Sequence, residues 1–205
     1  MDGQEYLNQI SMQNRPVKKS GVSKLLSSKI FLVSMIGVIL LILIIIVGSI
    51  LGGGKGGDKN LSFALKLHLD NTEEVIQDYQ PNVKSSDLRS SSASLYSVLS
   101  NTNRELTDYI TEKYNYKESD VSESIVSDAE LARDELETGL FNAKIGGTLD
   151  RTYALKMAYE ISLIKSEEAK IINSTKNSDL AGILTTSYNS LENLYNKFND
   201  FSEKN

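Results

Sequence analysis

The chain has 205 residues, with 22 Lys and Arg against 27 Asp and Glu, no Cys, no Trp and one His. Those counts exclude disulfides, thiolate chemistry and Cys-rich zinc or iron–sulfur sites, and they leave His68 as the sole histidine for metal or triad chemistry. Charge is unevenly split: residues 1–29 carry a balance of +3 and residues 58–205 one of −9, so the larger part repels phosphate backbones and nucleic acid is not an expected partner.

Residues 1–29 hold Arg15, Lys18, Lys19, Lys24 and Lys29 among few apolar residues, and are predicted to form a disordered cytoplasmic tail facing anionic lipid headgroups. Ile30 to Leu51 then run without a charged residue. A helix of that length rises about 33 Å, against a hydrocarbon core of about 30 Å, so residues 30–51 are predicted to be a transmembrane helix with the lipid bilayer as partner. A cleaved signal peptide is the rival reading. Against it stand the long leader, an apolar core beyond the usual length and the lack of an A-x-A site. Basic residues are more numerous before the span than after it, which predicts a single pass through the cytoplasmic membrane, N-terminus inside and C-terminal domain outside. Gly48 and Gly52 form a G-x-x-x-G pair at the outer edge of the span, better explained by the glycine run that follows than by helix pairing. Residues 52–60 are read as a Gly-rich linker, a short flexible tether between span and domain.

From residue 61 to 205 the apolar spacing is helical. Leu61, Leu65, Leu69, Thr72, Ile76 and Tyr79 define a first helix that Pro81 stops. Ser85-Ser86-Asp87 starts a second, with Leu88, Leu95, Leu99, Thr102, Leu106 and Ile110 on one face. Tyr114-Asn115-Tyr116 is a polar joint, and Asp120 with Glu123 suggests a capping box for a third helix carrying Val121, Ile125, Ala129, Ala132, Leu136 and Leu140. Gly146-Gly147 ends it. Thr148 is the expected cap of a fourth helix with Leu149, Tyr153, Met157, Ile161, Ile164, Ala169 and Ile172, and Asn177-Ser178-Asp179 precedes a fifth with Leu180, Leu184, Tyr188, Leu191, Leu194, Phe198 and Phe201. The predicted fold class is all-α: one N-terminal transmembrane helix, a glycine-rich linker and an antiparallel four- to five-helix bundle. Lys84-Ser85-Ser86-Asp87-Leu88 is echoed by Lys176-Asn177-Ser178-Asp179-Leu180, each with a Tyr eight residues past its Leu, as a repeated hairpin or a shared capping preference would give.

Leu149-Asp150-Arg151-Thr152-Tyr153 after Gly146-Gly147, with Asp179-Leu180, Leu191-Glu192 and Asn103-Arg104-Glu105-Leu106, resembles the exported ferritin-like four-helix-bundle domains of unknown function of bacterial envelopes, over residues 61–201. The resemblance implies an up-down bundle and no activity. The histidines such domains carry in their second and third bundle helices would fall near Leu99 and Ile161 here.

Chemistry-bearing positions are few. A di-iron bundle site needs Glu-x-x-His pairs, and the sequence has none. Glu160, one residue from Ile161, is the best single candidate for an inward carboxylate, with a solvent-reaching helix edge the expected reading. His68 is expected at the surface or its boundary. Glu73-Glu74 and Glu167-Glu168 are expected on solvated faces, and Tyr109, Tyr114 and Tyr116 at one bundle end, rings inward and hydroxyls wet. No catalytic, cofactor-binding or metal residue is assigned, and no enzyme activity or cofactor is expected. The reading that follows is a membrane-anchored extracytoplasmic interaction or scaffold module of the cell envelope with a protein partner. The alternatives are a degenerate ferritin-like metal-binding or redox bundle and an envelope ligand sensor.

Overall fold

The computed structural model describes residues 57–204, and within them every regular element is helical. The tail, the apolar run at 30–51 and most of the glycine run lie outside the described residues. Among the described residues no helix is long and apolar enough to cross a membrane.

Five α-helices follow one another: α1 Gly57–Tyr79, α2 Ser86–Tyr114, α3 Glu123–Ile145, α4 Leu149–Ser174 and α5 Ser178–Lys204. α1 starts within the stretch read as linker, and it ends where Pro81 enters a 3-10 turn at Gln80–Asn82. α2 is capped by the Ser85 hydroxyl, which accepts from Leu88 N–H, and stops at Asn115 in the left-handed region at φ 51°. α3 departs from its expected start. Asp120 belongs to a 3-10 turn, Val121 precedes the helix and Ser122 is the N-cap, so the Asp120–Glu123 capping box does not form. Gly146 ends α3, and Gly147, at φ 74°, makes the turn into α4. Thr148 occupies the N-cap of α4 without a side-chain hydrogen bond. The echoed segments do share a device: Asn177 Oδ1 accepts from Asp179 and Leu180 N–H, as Ser85 does from Leu88.

α1, α2, α5 and α4 close a ring of four, each packed on the next, while α3 lies against α1 and α4 from outside. Ring neighbours are antiparallel: Asp58 meets Ser174, and His68 meets Glu160 and Glu167. α3 instead runs parallel to α1 at a constant offset. Asn71 donates to the Ala129 carbonyl, Arg133 reaches Glu74, and the Tyr79 hydroxyl donates to the Glu137 carbonyl. The ring interior is a continuous apolar core that includes Leu65, Leu69, Leu99, Leu106, Tyr153, Ile161, Leu184, Leu191 and Phe198. Burial of this many large aliphatic and aromatic side chains, at about 1.5–3 kcal/mol each, is what holds the ring together.

On α4 the inward stripe is not quite the expected one. It runs Leu149, Tyr153, Met157, Ile161, Ile164, then Glu168 and Ile171, with Ala169 and Ile172 half-buried beside it. A glutamate occupies a core position that polarity alone assigned to the surface. α3 buries only Leu136, Leu140 and Ala143, and Ala132 is exposed.

Candidate functional site

The polar groups of the bundle gather where α1 faces α4 and α2. Helical spacing puts His68 on the α4 side of α1 and Asp70 and Glu73 on the α2 side. Glu160 and Glu167, two turns apart on α4, then bracket the imidazole: Glu160 Oε2 lies 2.9 Å from Nε2 and Glu167 Oε2 lies 3.0 Å from Nδ1. The side chains are 17%, 12% and 30% exposed for His68, Glu160 and Glu167. Ionised carboxylate oxygens only accept, so both ring nitrogens donate and the ring is an imidazolium. Burial alone would lower the pKa of His68; the charge of Glu167 and the hydrogen bonds to both carboxylates outweigh it and push it up to about 10. His68 is therefore a fixed cation tying α1 to α4, with no lone pair free for a metal or a proton acceptor role.

On the α2 side Asn103 Nδ2 donates to Asp70 Oδ1 at 2.6 Å and to Glu73 Oε1 at 2.9 Å, and Lys66 pairs with Asp70. Burial raises the pKa of Glu73, and the Asn103 hydrogen bond opposes the rise. Deeper still, Glu168 is fully buried, and neither of its carboxyl oxygens has a hydrogen-bond partner. Burial pushes its pKa up to about 8, against the opposing pull of the nearby Ser187 hydroxyl, itself buried and unpaired. Glu168 is accordingly a neutral acid near pH 7.

Several sequence expectations change here. Glu160 does not reach out to solvent but holds His68. Of the two acidic pairs expected on solvated faces, only Glu74 conforms; Glu73 and Glu168 are buried and Glu167 is half-buried and engaged. The error has one source: adjacent residues on a helix are about 100° apart, so a pair of glutamates points one inward when the stripe passes between them. Leu99 and Ile161, where the resembling family carries histidines, are both fully buried apolar core. Tyr109, Tyr114 and Tyr116 do gather at one end, with edge-to-face contacts Tyr109–Tyr114, Phe63–Tyr114 and Phe63–Tyr116 and with Lys66 over the Tyr116 ring, but the Tyr116 hydroxyl is buried and unpaired, not wet as expected. Among the described residues no group of three or more His, Cys, Asp or Glu is arranged to hold a metal ion.

The surface supplies the other notable feature. Leu131, Phe141 and Ile145 on α3 are 62%, 56% and 71% exposed, and Leu155 on α4 is 50% exposed. A shallow depression between α4 and α5, bounded by Lys165, Tyr188, Glu192 and Tyr195, is bridged by the Lys165–Glu192 ion pair, with the ammonium over the Tyr188 ring. No protein-family profile, curated protein or solved structure matches this chain. The likeness to exported ferritin-like bundles thus rests on the residues that suggested it.

Proposed function

We propose that this chain is a membrane-anchored, extracytoplasmic helical-bundle protein that acts as a non-enzymatic interaction module of the cell envelope. The observation that carries this reading is α3: a helix outside the four-helix ring that turns three large apolar side chains to solvent. A ring that already buries its own core does not need them for folding, and large apolar side chains left in solvent on one helix are where something can dock. Three interior groups are committed to structure: His68 ties α1 to α4, Asn103 ties α2 to α1, and Tyr153 bonds Ser92 across α4 and α2. The apolar run at 30–51, with its basic N-terminal flank, supports the anchor and the outward orientation.

Two experiments test this. Cysteine at Ser90 should react with a membrane-impermeant thiol reagent in intact cells and cysteine at Ser11 should not; labelling at Ser11 would reverse the topology. A photocrosslinker at Ile145 should capture a protein in native membranes, while one at Asn189 on α5 should not; equal capture, or none at either, would remove the interaction reading. The metal-binding alternative is tested at His68, whose ring is held between Glu160 and Glu167. An ion there must displace a ring proton, so purified protein retaining stoichiometric metal, lost in H68Q, would establish it over the present reading.

A further inference from the structure

Three polar side chains fall at one level inside the four-helix ring. Ser62 on α1 and Glu168 on α4 are fully buried, Ser187 on α5 is 3% exposed, and none of their side-chain oxygens has a hydrogen-bond partner among the described residues. Helix register sets them side by side. Asp58 meets Ser174 and His68 meets Glu167 across the antiparallel pair α1 and α4, so Ser62, one turn past Asp58, falls within a turn of Glu168. Lys165 meets Glu192 across α4 and α5, which brings Ser187 to the same level. Each occupies its helix's inward stripe: Ser62 lies seven residues before Leu69, Glu168 between Ile164 and Ile171, and Ser187 between Leu184 and Leu191, all of them fully buried. The two serines also decline the usual outlet for a buried hydroxyl on a helix, which is a carbonyl in the preceding turn. Thr72 donates to His68, Thr102 to Val98 and Ser202 to Asn199 in that way, whereas Ser62 and Ser187 make no such bond.

We propose that Ser62, Glu168 and Ser187 enclose an ordered water that joins α1, α4 and α5 by hydrogen bonds inside the ring. The chemistry of the three groups selects this occupant. A neutral carboxyl and two hydroxyls bring one donor each and oxygens that also accept, so the group between them must both give and take hydrogen bonds and must be small; water does both, and bridging otherwise unpaired buried polar groups is its usual role in protein interiors. A metal ion takes only lone pairs and needs compensating charge, and the layer offers it a single carboxyl in an apolar surround. Hydrogen bonds are directional where leucine packing is permissive, so the bridge fixes the register of α1 and α5 against α4.

The test uses the full chain in detergent micelles. Oxygen-17 relaxation dispersion of the solvent counts waters held inside for longer than the molecule takes to tumble. The parent should hold a water that E168L loses, because leucine fills the position without bonding, and that E168Q keeps, because an amide still donates and accepts. An equal count in the parent and E168L would overturn the proposal. Denaturant unfolding followed by circular dichroism gives a second reading that does not depend on E168L. If one water serves both serines, the unfolding equilibrium constant of S62A/S187A should depart from the product of the single effects by at least about threefold. Effects that simply multiply would remove the bridge. Coupling confined to Glu168 and Ser187 would mean a direct bond between α4 and α5 and overturn it as well. Stabilisation by sodium chloride that choline chloride does not give, and that E168L abolishes, would put a cation in the layer in place of water.

Discussion

α5 and α3 are helices of similar length drawn from one chain, and the molecule uses them in opposite ways. α5 buries Leu180, Leu184, Leu191, Leu194 and Phe198 along one stripe. α3 buries two leucines and an alanine, and shows Leu131, Phe141 and Ile145 to solvent. The difference is not in how many large apolar residues each has but in how they are distributed around the helix. On α5 they fall within one arc, so a single neighbour-facing side captures nearly all of them. On α3 they fall on two sides, and a helix packed from outside against α1 and α4 covers only one. A helix with two apolar faces and one set of neighbours has a face left for something else.

The largest effect that tests this contrast is a cavity. Leu191→Ala should cost about 2–5 kcal/mol through lost burial and a residual void, whereas Ile145→Ala should change stability by no more than about 0.5 kcal/mol. Denaturant unfolding of residues 57–205 followed by circular dichroism reads both, and comparable losses would erase the distinction between the two helices.

Next comes the tie between α1 and α4. The folded pKa of His68, about 10, lies above its ordinary value of 6.5, so its contribution is complete below pH 6.5 and is lost as pH rises toward 10. His68→Gln should therefore cost about 1.5–3 kcal/mol at pH 6 and progressively less toward pH 10. A cost that stays flat over that window would mean the imidazole is not charged in the fold.

Glu168 gives a smaller effect of defined sign. Its folded pKa of about 8 exceeds the ordinary 4.5, so the folded chain holds a proton that the unfolded chain releases, and stability falls as pH climbs from 4.5 to 8. Glu168→Gln, neutral at every pH, should remove that slope and gain at least about 1 kcal/mol at pH 8. If the variant keeps the parent slope in that window, the titration belongs to another group. The smallest effect is expected at Glu192, which is 57% exposed and pairs with Lys165 on the rim of the α4–α5 depression. Glu192→Ala should shift stability by no more than about 0.5 kcal/mol, because solvent screens the pair; a loss comparable to that of Leu191→Ala would move Glu192 into the core.

Periodicity and punctuation located the helices of the described region. Leu and Ile at steps of three and four, Pro81, Ser85, Asn115, Gly146-Gly147 and Asn177 act within one or two turns, and local stereochemistry needs no partner to act. The leucines and Phe198 of the α5 stripe were legible for the same reason, but Tyr188 and Phe201 are half-buried while Ser187 and Ser202 take buried positions. What the sequence could not show was which neighbour each face meets. Glu168 reads as polar and sits in the core because the α4 stripe passes through its position. His68 reads as a boundary residue and becomes a fixed cation because α4 lies antiparallel to α1 and delivers Glu160 and Glu167, 92 and 99 residues away. The exposed apolar side of α3 was likewise hidden, since an outer apolar face is told from an inner one only by where the neighbouring helices stand. Local propensity fixes where a helix starts and stops, whereas the charge state of a buried group and the exposure of an apolar one depend on chain brought in from far away in sequence, which only the tertiary packing of the bundle decides.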